Sequence, residues 1–358
     1  MSGGTAPGGR PAPWADAGIW RHAQRYSVLV PEAQRLSHGE GDTPLVAYPE
    51  LAAACGLEAL WLKREDLNPG GAHKARGLAF QIAALRATRP DLRSLVISSS
   101  GNGAIAAASY AALAGLRLAA CLSPDTPADK LARLSALGAC LLVSDRAMAL
   151  ADELSAHLGW PNLRPSIDPL APEGFMSLGW ELAEAGAAAR LDAQGIFLFA
   201  SSGTGLVGLA RGLDRPSSGV VWRAPLHVVQ GAGGDPIAAA FDRRPAPQAG
   251  RSIVGRLGSR KTRRLGEAVR AVKVSGGWGW TVGDEETLAA DALLRAAGLE
   301  PALEGAAALA AAARAAAETG LRRAIVVISG RAGAPEAGGS VQTVADLDAA
   351  LLRVAVWS

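Results

Sequence analysis

Twice in this chain a short apolar run ends in hydroxyl residues, passes through glycine and restarts as a helix-forming segment. Residues 94–98 (SLVIS) lead into Ser99-Ser100-Gly101-Asn102-Gly103 and a small-residue run to about residue 114, stopped by Gly115. Residues 195–200 (GIFLFA) lead into Ser201-Ser202-Gly203-Thr204-Gly205 and a helix to about residue 212. A third apolar run, 324–328, ends in Ser329-Gly330-Arg331-Ala332-Gly333. Strand, polar glycine turn and helix make the unit of a parallel sheet flanked by helices, and its turns face a ligand. Further strands are expected at 116–122, 140–143 and 226–230. Helices are expected at 49–55, 75–87, 125–137, 285–297 and 303–318, with Asp284 capping the fourth. Trp278 and Trp280, two apart within 272–282, would share one face of a strand, where core packing is the plain reading. The predicted fold class is α/β with mostly parallel sheets.

The most chemically loaded stretch is WLKREDLNPGGAHKARG, residues 61–77. An apolar strand start runs into a charged patch (Lys63, Arg64, Glu65, Asp66), an Asn-Pro-Gly-Gly turn follows, and Lys74 sits where a helix should begin. A helix start carries a partial positive charge, which disfavours a second cation and makes the Lys74 amine a candidate nucleophile. A solvated surface lysine after a turn is the plain alternative.

Composition narrows the classes. The chain has 358 residues, enough for one large or two medium domains. Hydrophobic residues make up 49%, yet no run approaches a membrane span, so no membrane partner is expected. A formal net charge of +3 is too small to argue for nucleic acid. Residues 1–17, rich in Gly and Pro and lacking an apolar h-region, read as a disordered tail and not a signal peptide. Cys55, Cys121 and Cys140 are scattered and odd in number, which suits a reducing cytoplasm with buried thiols. No Cys or His pair has metal-ligand spacing, so no metal is expected.

Leu62-Lys63-Arg64-Glu65-Asp66-Leu67-Asn68-Pro69, followed by Gly71-Ala72-His73-Lys74, resembles the Schiff-base lysine segment of the fold type II pyridoxal-phosphate (PLP) enzymes, the tryptophan synthase β superfamily. The arm at 18–35 and Ser37-His38-Gly39-Glu40-Gly41-Asp42-Thr43-Pro44-Leu45 look like the entry region of threonine synthases. This resemblance implies that Lys74 holds PLP and later serves as general base, with His73 packed against the cofactor. Asn102 matches the asparagine that serves the ring's phenolic oxygen, donating without adding charge. Ser99, Ser100, Gly101 and Gly103 match the loop that holds the substrate carboxylate. Ser201, Ser202, Gly203, Thr204 and Gly205 would cradle the phosphate with helix-start N–H groups, the hydroxyls acting as extra donors. Ser201 and Ser202 stand where the family has glycines, and Gly205 where it has asparagine. Ser329 matches the serine that faces the pyridine nitrogen in tryptophan synthase β. A neutral hydroxyl there leaves the ring a weaker electron sink and favours loss of a leaving group over transamination. Without the family, each of these loops also reads as an ordinary capping turn.

The same resemblance implies two open twisted α/β domains with PLP in the cleft. Residues 18–84 plus 181–350 would form the large PLP-binding domain and 85–180 a small mobile one. The arm and Asn102 look like threonine synthase, whereas Pro301-Ala302-Leu303-Glu304 and Ser329-Gly330-Arg331 look like tryptophan synthase β. Ala72-His73-Lys74-Ala75-Arg76-Gly77 lacks polar groups of the threonine synthase segment. The implied activity is that of a lyase or synthase. It would carry out β-elimination or β-replacement on a small amino acid of the activated serine or threonine type, through a bound aminoacrylate. The setting would be specialised amino-acid metabolism, with a small nucleophile as second partner in a replacement and a homodimer expected from the family. Two alternatives stay open: a genuine threonine synthase acting on O-phosphohomoserine, and a catalytically silent PLP-binding relative.

Overall fold

The computed structural model describes residues 16–99, 101–215, 221–241, 252–254, 262–332 and 343–357. Nearly all of the tail read at 1–17, together with Ser100 and Gly333, lies outside the described residues. The elements in chain order are β1 (Leu45–Ala47), α1 (Pro49–Ala54), β2 (Ala59–Lys63), α2 (Lys74–Thr88), β3 (Ser94–Ser98), α3 (Asn102–Leu113), β4 (Arg117–Leu122), α4 (Ala128–Ala136), β5 (Cys140–Val143) and α5 (Ala147–Leu158). They continue with α6 (Met176–Ala188), β6 (Gly195–Phe199), α7 (Thr204–Asp214), β7 (Leu226–Gly231), α8 (Leu265–Val274), β8 (Gly279–Val282), α9 (Asp284–Ala296), α10 (Leu303–Thr319), β9 (Arg323–Val327) and α11 (Leu347–Trp357).

These strands form two sheets, one of six in the order β1-β2-β9-β6-β7-β8 and one of three in the order β3-β4-β5. Strand β1 pairs antiparallel with β2, and every other strand pairing among the described residues is parallel. Parallel strands are covered on both faces, so their runs are apolar throughout, and the period of two divides them between two cores. In the large sheet Phe197, Phe199, Ala324 and Val326 face α1, α9 and α10, while Ile196, Leu198, Ile325 and Val327 face α6, α7 and α8. In the small sheet Leu95, Ile97, Ala120 and Leu122 share a core with the N-terminal arm, α2 and α3. Val96, Cys121 and Leu142 share another with α5 and α11. Fully burying one such aliphatic side chain contributes about 1.5–3 kcal/mol, which makes these four clusters the main stabilising term.

Helices α6 and α7 meet at backbone distance because glycine faces glycine. A Cβ added at Gly212 would lie 2.2 Å from the Met176 carbonyl oxygen and 3.0 Å from Gly179 Cα. Neither atom can move without shifting a helix. Gly212→Ala is therefore expected to destabilise the protein by about 1–3 kcal/mol, seen as a lower midpoint in thermal denaturation; an unchanged midpoint would mean that the helices part at no cost.

Two local expectations are corrected. Trp278 and Trp280 do not share a strand face: α8 runs to Val274 and β8 starts only at Gly279. Trp280 is buried and donates its indole N–H to His227 Nδ1 at 3.0 Å, whereas Trp278 is 47% exposed, edge-on to Phe241. Asp284 does not cap α9; it is the first helical residue, and its carboxylate accepts from the Ser252 hydroxyl and the Ile253 N–H. The helix start is closed instead by Glu286, which accepts from the Gly283 N–H at 2.8 Å. The C-terminal helix α11 packs with α5 on the small sheet. No helix among the described residues is long and apolar enough to cross a membrane.

Candidate active site

Lysine 74 owes its place to the end of β2. After Lys63 the chain makes two short turns, the second with Gly70 and Gly71 at φ 72° and 75°, where a side chain would be strained. It is then stitched to the end of β9: the Arg331 N–H donates to the Gly71 carbonyl at 2.8 Å, and the His73 N–H to the Ser329 carbonyl at 3.0 Å. The His73 ring makes a second bond to the same carbonyl, Nδ1 to oxygen at 2.9 Å. A carbonyl only accepts, so Nδ1 carries the proton and Nε2 is left as the acceptor. Burial pushes the His73 pKa down and keeps the ring neutral.

Next in the chain, Lys74 opens α2, partly buried. Burial lowers the pKa of its amine; Glu304, at the start of α10, pulls it back up, and Lys130, on α4, lowers it further. Glycine at 103 leaves room for this side chain: an added Cβ would stand 3.4 Å from Lys74 Cδ and 2.9 Å from Ser99 Oγ. The loop after β3 thus comes up against the Lys74 side chain. Asn102 reaches the end of β9, since a Cβ on Gly330 would lie 3.3 Å from Asn102 Nδ2.

The loop after β6 closes the other side. Gly203 takes φ +83° ahead of α7, and a Cβ on Gly205 would approach His73 Nε2 at 3.4 Å. Phe175 is wedged beneath both helix starts, against His73, Gly77 and Gly208. Among the described residues, the N–H groups of Ser201 through Leu206 donate to no atom of the chain, leaving a row of donors suited to an anion. The hydroxyls differ from expectation. Thr204 Oγ1 donates to the Pro165 carbonyl at 3.1 Å and stands 2.9 Å from Ser202 Oγ, so these two satisfy each other and the backbone. The available donors are the peptides themselves and the Ser201 hydroxyl. The side-chain polar atoms of Ser99, Asn102, Ser201 and Ser329 make no hydrogen bond among the described residues.

Lys63 and Glu65 of the charged patch are buried with Arg76 and Glu181. Arg76 donates Nε to Glu65 Oε2 at 2.7 Å and Nη2 to Glu65 Oε1 at 2.7 Å, and reaches both oxygens of Glu181 at 2.5 and 2.7 Å. Lys63 Nζ also donates to Glu181 at 2.6 Å. This quartet joins the end of β2, the first turn of α2 and the second turn of α6. Glu304, Lys130, Arg76 and Glu181 were not read as site residues, although Glu304 lies inside Pro301-Ala302-Leu303-Glu304 and Arg76 inside Ala72-His73-Lys74-Ala75-Arg76-Gly77. No group of three or more His, Cys, Asp or Glu among the described residues could hold a metal ion.

Residues 36–330 match the family model of the pyridoxal-phosphate dependent enzymes. The chain is similar to a threonine synthase of Methanosarcina acetivorans, 29% identical over 303 residues, covering 79% of this chain and 72% of that protein. It is also similar to a human serine dehydratase-like protein, 32% identical over 175 residues, covering 48% of this chain and about half, 51%, of that protein. Among solved structures it matches a T.th. threonine deaminase with a TM-score of 0.66 at 25% identity, covering 82% of this chain and 94% of that one.

Proposed function

The chain belongs to the pyridoxal-phosphate dependent enzyme family, and on that premise we propose that it is a lyase or synthase working by β-elimination or β-replacement on a small amino acid of the activated serine or threonine type. The observation that carries this is the meeting of Lys74, Ser99 and Gly103 across the cleft, with the row of free N–H groups at 201–206 beside His73.

The residues present fit the cofactor. A partly buried amine with a lowered pKa condenses with a carbonyl more readily than a surface lysine. The dianionic phosphate suits the N–H row at the start of α7. The unbonded amide of Asn102 is available to the ring's phenolic oxygen, and the Ser329 hydroxyl to its pyridine nitrogen. When bound, pyridoxal phosphate withdraws electrons from the substrate α-carbon, so that the α-proton can leave and the β-substituent after it. Lys74 Nζ, whose pKa burial lowers, takes that proton in its neutral form. Ser99, Ser100, Gly101 and Gly103 hold the substrate carboxylate at the start of α3. Ser329, a hydroxyl and not an acid, favours elimination or replacement over transamination. Closure of 85–180 over the substrate excludes water from the site. Three unpaired, buried cysteines suit a reducing compartment.

Similarity to a threonine synthase over 79% of the chain favours a second reading, O-phosphohomoserine as substrate. One experiment separates them. The PLP-loaded protein is offered O-acetylserine, O-phosphoserine, serine, threonine and O-phosphohomoserine, and 2-oxo acids, released phosphate and new amino acids are identified by mass. Turnover of the serine or threonine group to a 2-oxo acid or a β-substituted amino acid is expected. Phosphate release from O-phosphohomoserine alone would establish the second reading, and transamination alone would overturn both.

A further inference from the structure

The N–H row at 201–206 is held open from behind. Gln230, the fifth residue of β7, is 1% exposed and fully committed. Its Nε2 donates to the carbonyls of Ala200 at 2.7 Å and Ser201 at 3.4 Å. Its Oε1 accepts from the N–H groups of Ile237 at 2.8 Å and Ala238 at 3.0 Å. Two carbonyls on one side and two N–H groups on the other allow only this orientation of the amide. The next carbonyl, of Ser202, is taken by the Thr262 hydroxyl at 2.7 Å.

In a trans peptide the C=O of one residue and the N–H of the next point in opposite directions. Holding the carbonyls of Ala200, Ser201 and Ser202 against Gln230 and Thr262 therefore turns the N–H groups of Ser201, Ser202 and Gly203 the other way. There they extend the row begun by Thr204, Gly205 and Leu206. Three consecutive peptides facing the same way form an anion-binding concavity larger than a helix start alone.

We propose that Gln230 and Thr262 are positioning residues for the cofactor phosphate: they touch neither cofactor nor substrate and orient the peptides that do. This rests on the reading that 201–206 receives the phosphate. It assigns the donors to backbone, and so explains why the loop works with Ser202 and Thr204 hydroxyls that are bonded to each other and to Pro165.

The test compares two probes that differ only in the phosphate. Full-length protein stripped of cofactor is titrated with pyridoxal 5′-phosphate and with pyridoxal, following tryptophan fluorescence, for wild type, Gln230→Met and Thr262→Val. The readout is the ratio of the two Kd values. Gln230→Met is expected to weaken pyridoxal phosphate by about 10–100-fold and Thr262→Val by about 3–10-fold, with pyridoxal changed by less than about twofold, in line with losing hydrogen bonds to a charged group. The ³¹P resonance of the bound phosphate should shift in both variants. General damage to the fold would weaken both probes together and leave the ratio as in wild type. If both variants keep that ratio, the positioning role is wrong and the phosphate reading stands. If wild type binds pyridoxal as tightly as its phosphate, the reading falls and the positioning role with it. Should Gln230→Met not fold, Thr262→Val, which loses a single hydroxyl, decides.

Discussion

Lys74→Ala is expected to abolish the borohydride-trappable adduct with pyridoxal phosphate and to lower turnover by about 10²–10⁴-fold or more, because one amine serves as both attachment point and general base. In wild type, peptide mapping should find the reduced adduct on residue 74. A Lys74→Ala protein that still forms the adduct on another lysine, with turnover intact, would remove the basis of the active-site reading. The pH dependence follows from the environment. Burial holds the amine below its ordinary 10.5, Glu304 opposes this and Lys130 adds to it. The neutral amine is the reactive form, so the rate of cofactor attachment should rise with pH and level off below the pH at which a peptide lysine does. Lys130→Ala removes a neighbouring cation, so the plateau should move to higher pH; Glu304→Gln removes the opposing anion, so it should move lower.

Much of this site was legible because its parts are local. A β-rich run, a hydroxyl-glycine turn and a small-residue helix occupy consecutive residues, so the loops at 99–103 and 201–205 and the start of α2 fall where the pattern puts them. What escaped depends on partners far away in the chain. Gln230 reads as one more strand residue until its amide is seen between residues 200–201 and 237–238. Asp284 has the look of a cap, but Ser252 and Ile253 claim its carboxylate. Trp278 and Trp280 keep a period of two that means nothing once the strand starts between them. Lys63 and Glu65 belong to a run of charges, which is ordinarily a solvated face. Glu181, 118 residues from Lys63, turns that run into a buried network, and no local pattern announces it.

Arg76→Met is the substitution expected to cost most stability, about 3–5 kcal/mol, because it leaves buried carboxylates without their cation. The guanidinium is 0% exposed and has five N–H hydrogens for six contacts: two with Glu65, two with Glu181, one with Ser177 and one with Thr43. With Lys63 the quartet is neutral. In the variant Glu181 keeps Lys63 at 2.6 Å, while Glu65 is left with the Thr43 hydroxyl and the Asn68 amide. The pH dependence should then change sign. Burial alone would raise the Glu65 and Glu181 pKa values, yet Arg76 beside them holds both below their ordinary 4.5. In wild type the unfolded chain therefore binds more protons between the folded values and 4.5, and stability is full above that range and lost as pH falls through it. Without Arg76, burial dominates at Glu65 and its folded pKa rises above 4.5. The native state then binds the extra proton, and the contribution of Glu65 to stability increases as pH falls from neutrality toward 4.5. Denaturant titrations of the two proteins at a series of pH values between 4.5 and 7 read this directly. A stability deficit of the variant relative to wild type that widens as pH rises is the expected result, since the histidines whose pKa burial lowers, His22, His73 and His227, tilt both profiles alike. Parallel profiles would mean that the quartet takes no part in holding the start of α2. The same variant should lose cofactor affinity, because Arg76 lies two residues beyond Lys74 and fixes the helix turn from which that amine projects.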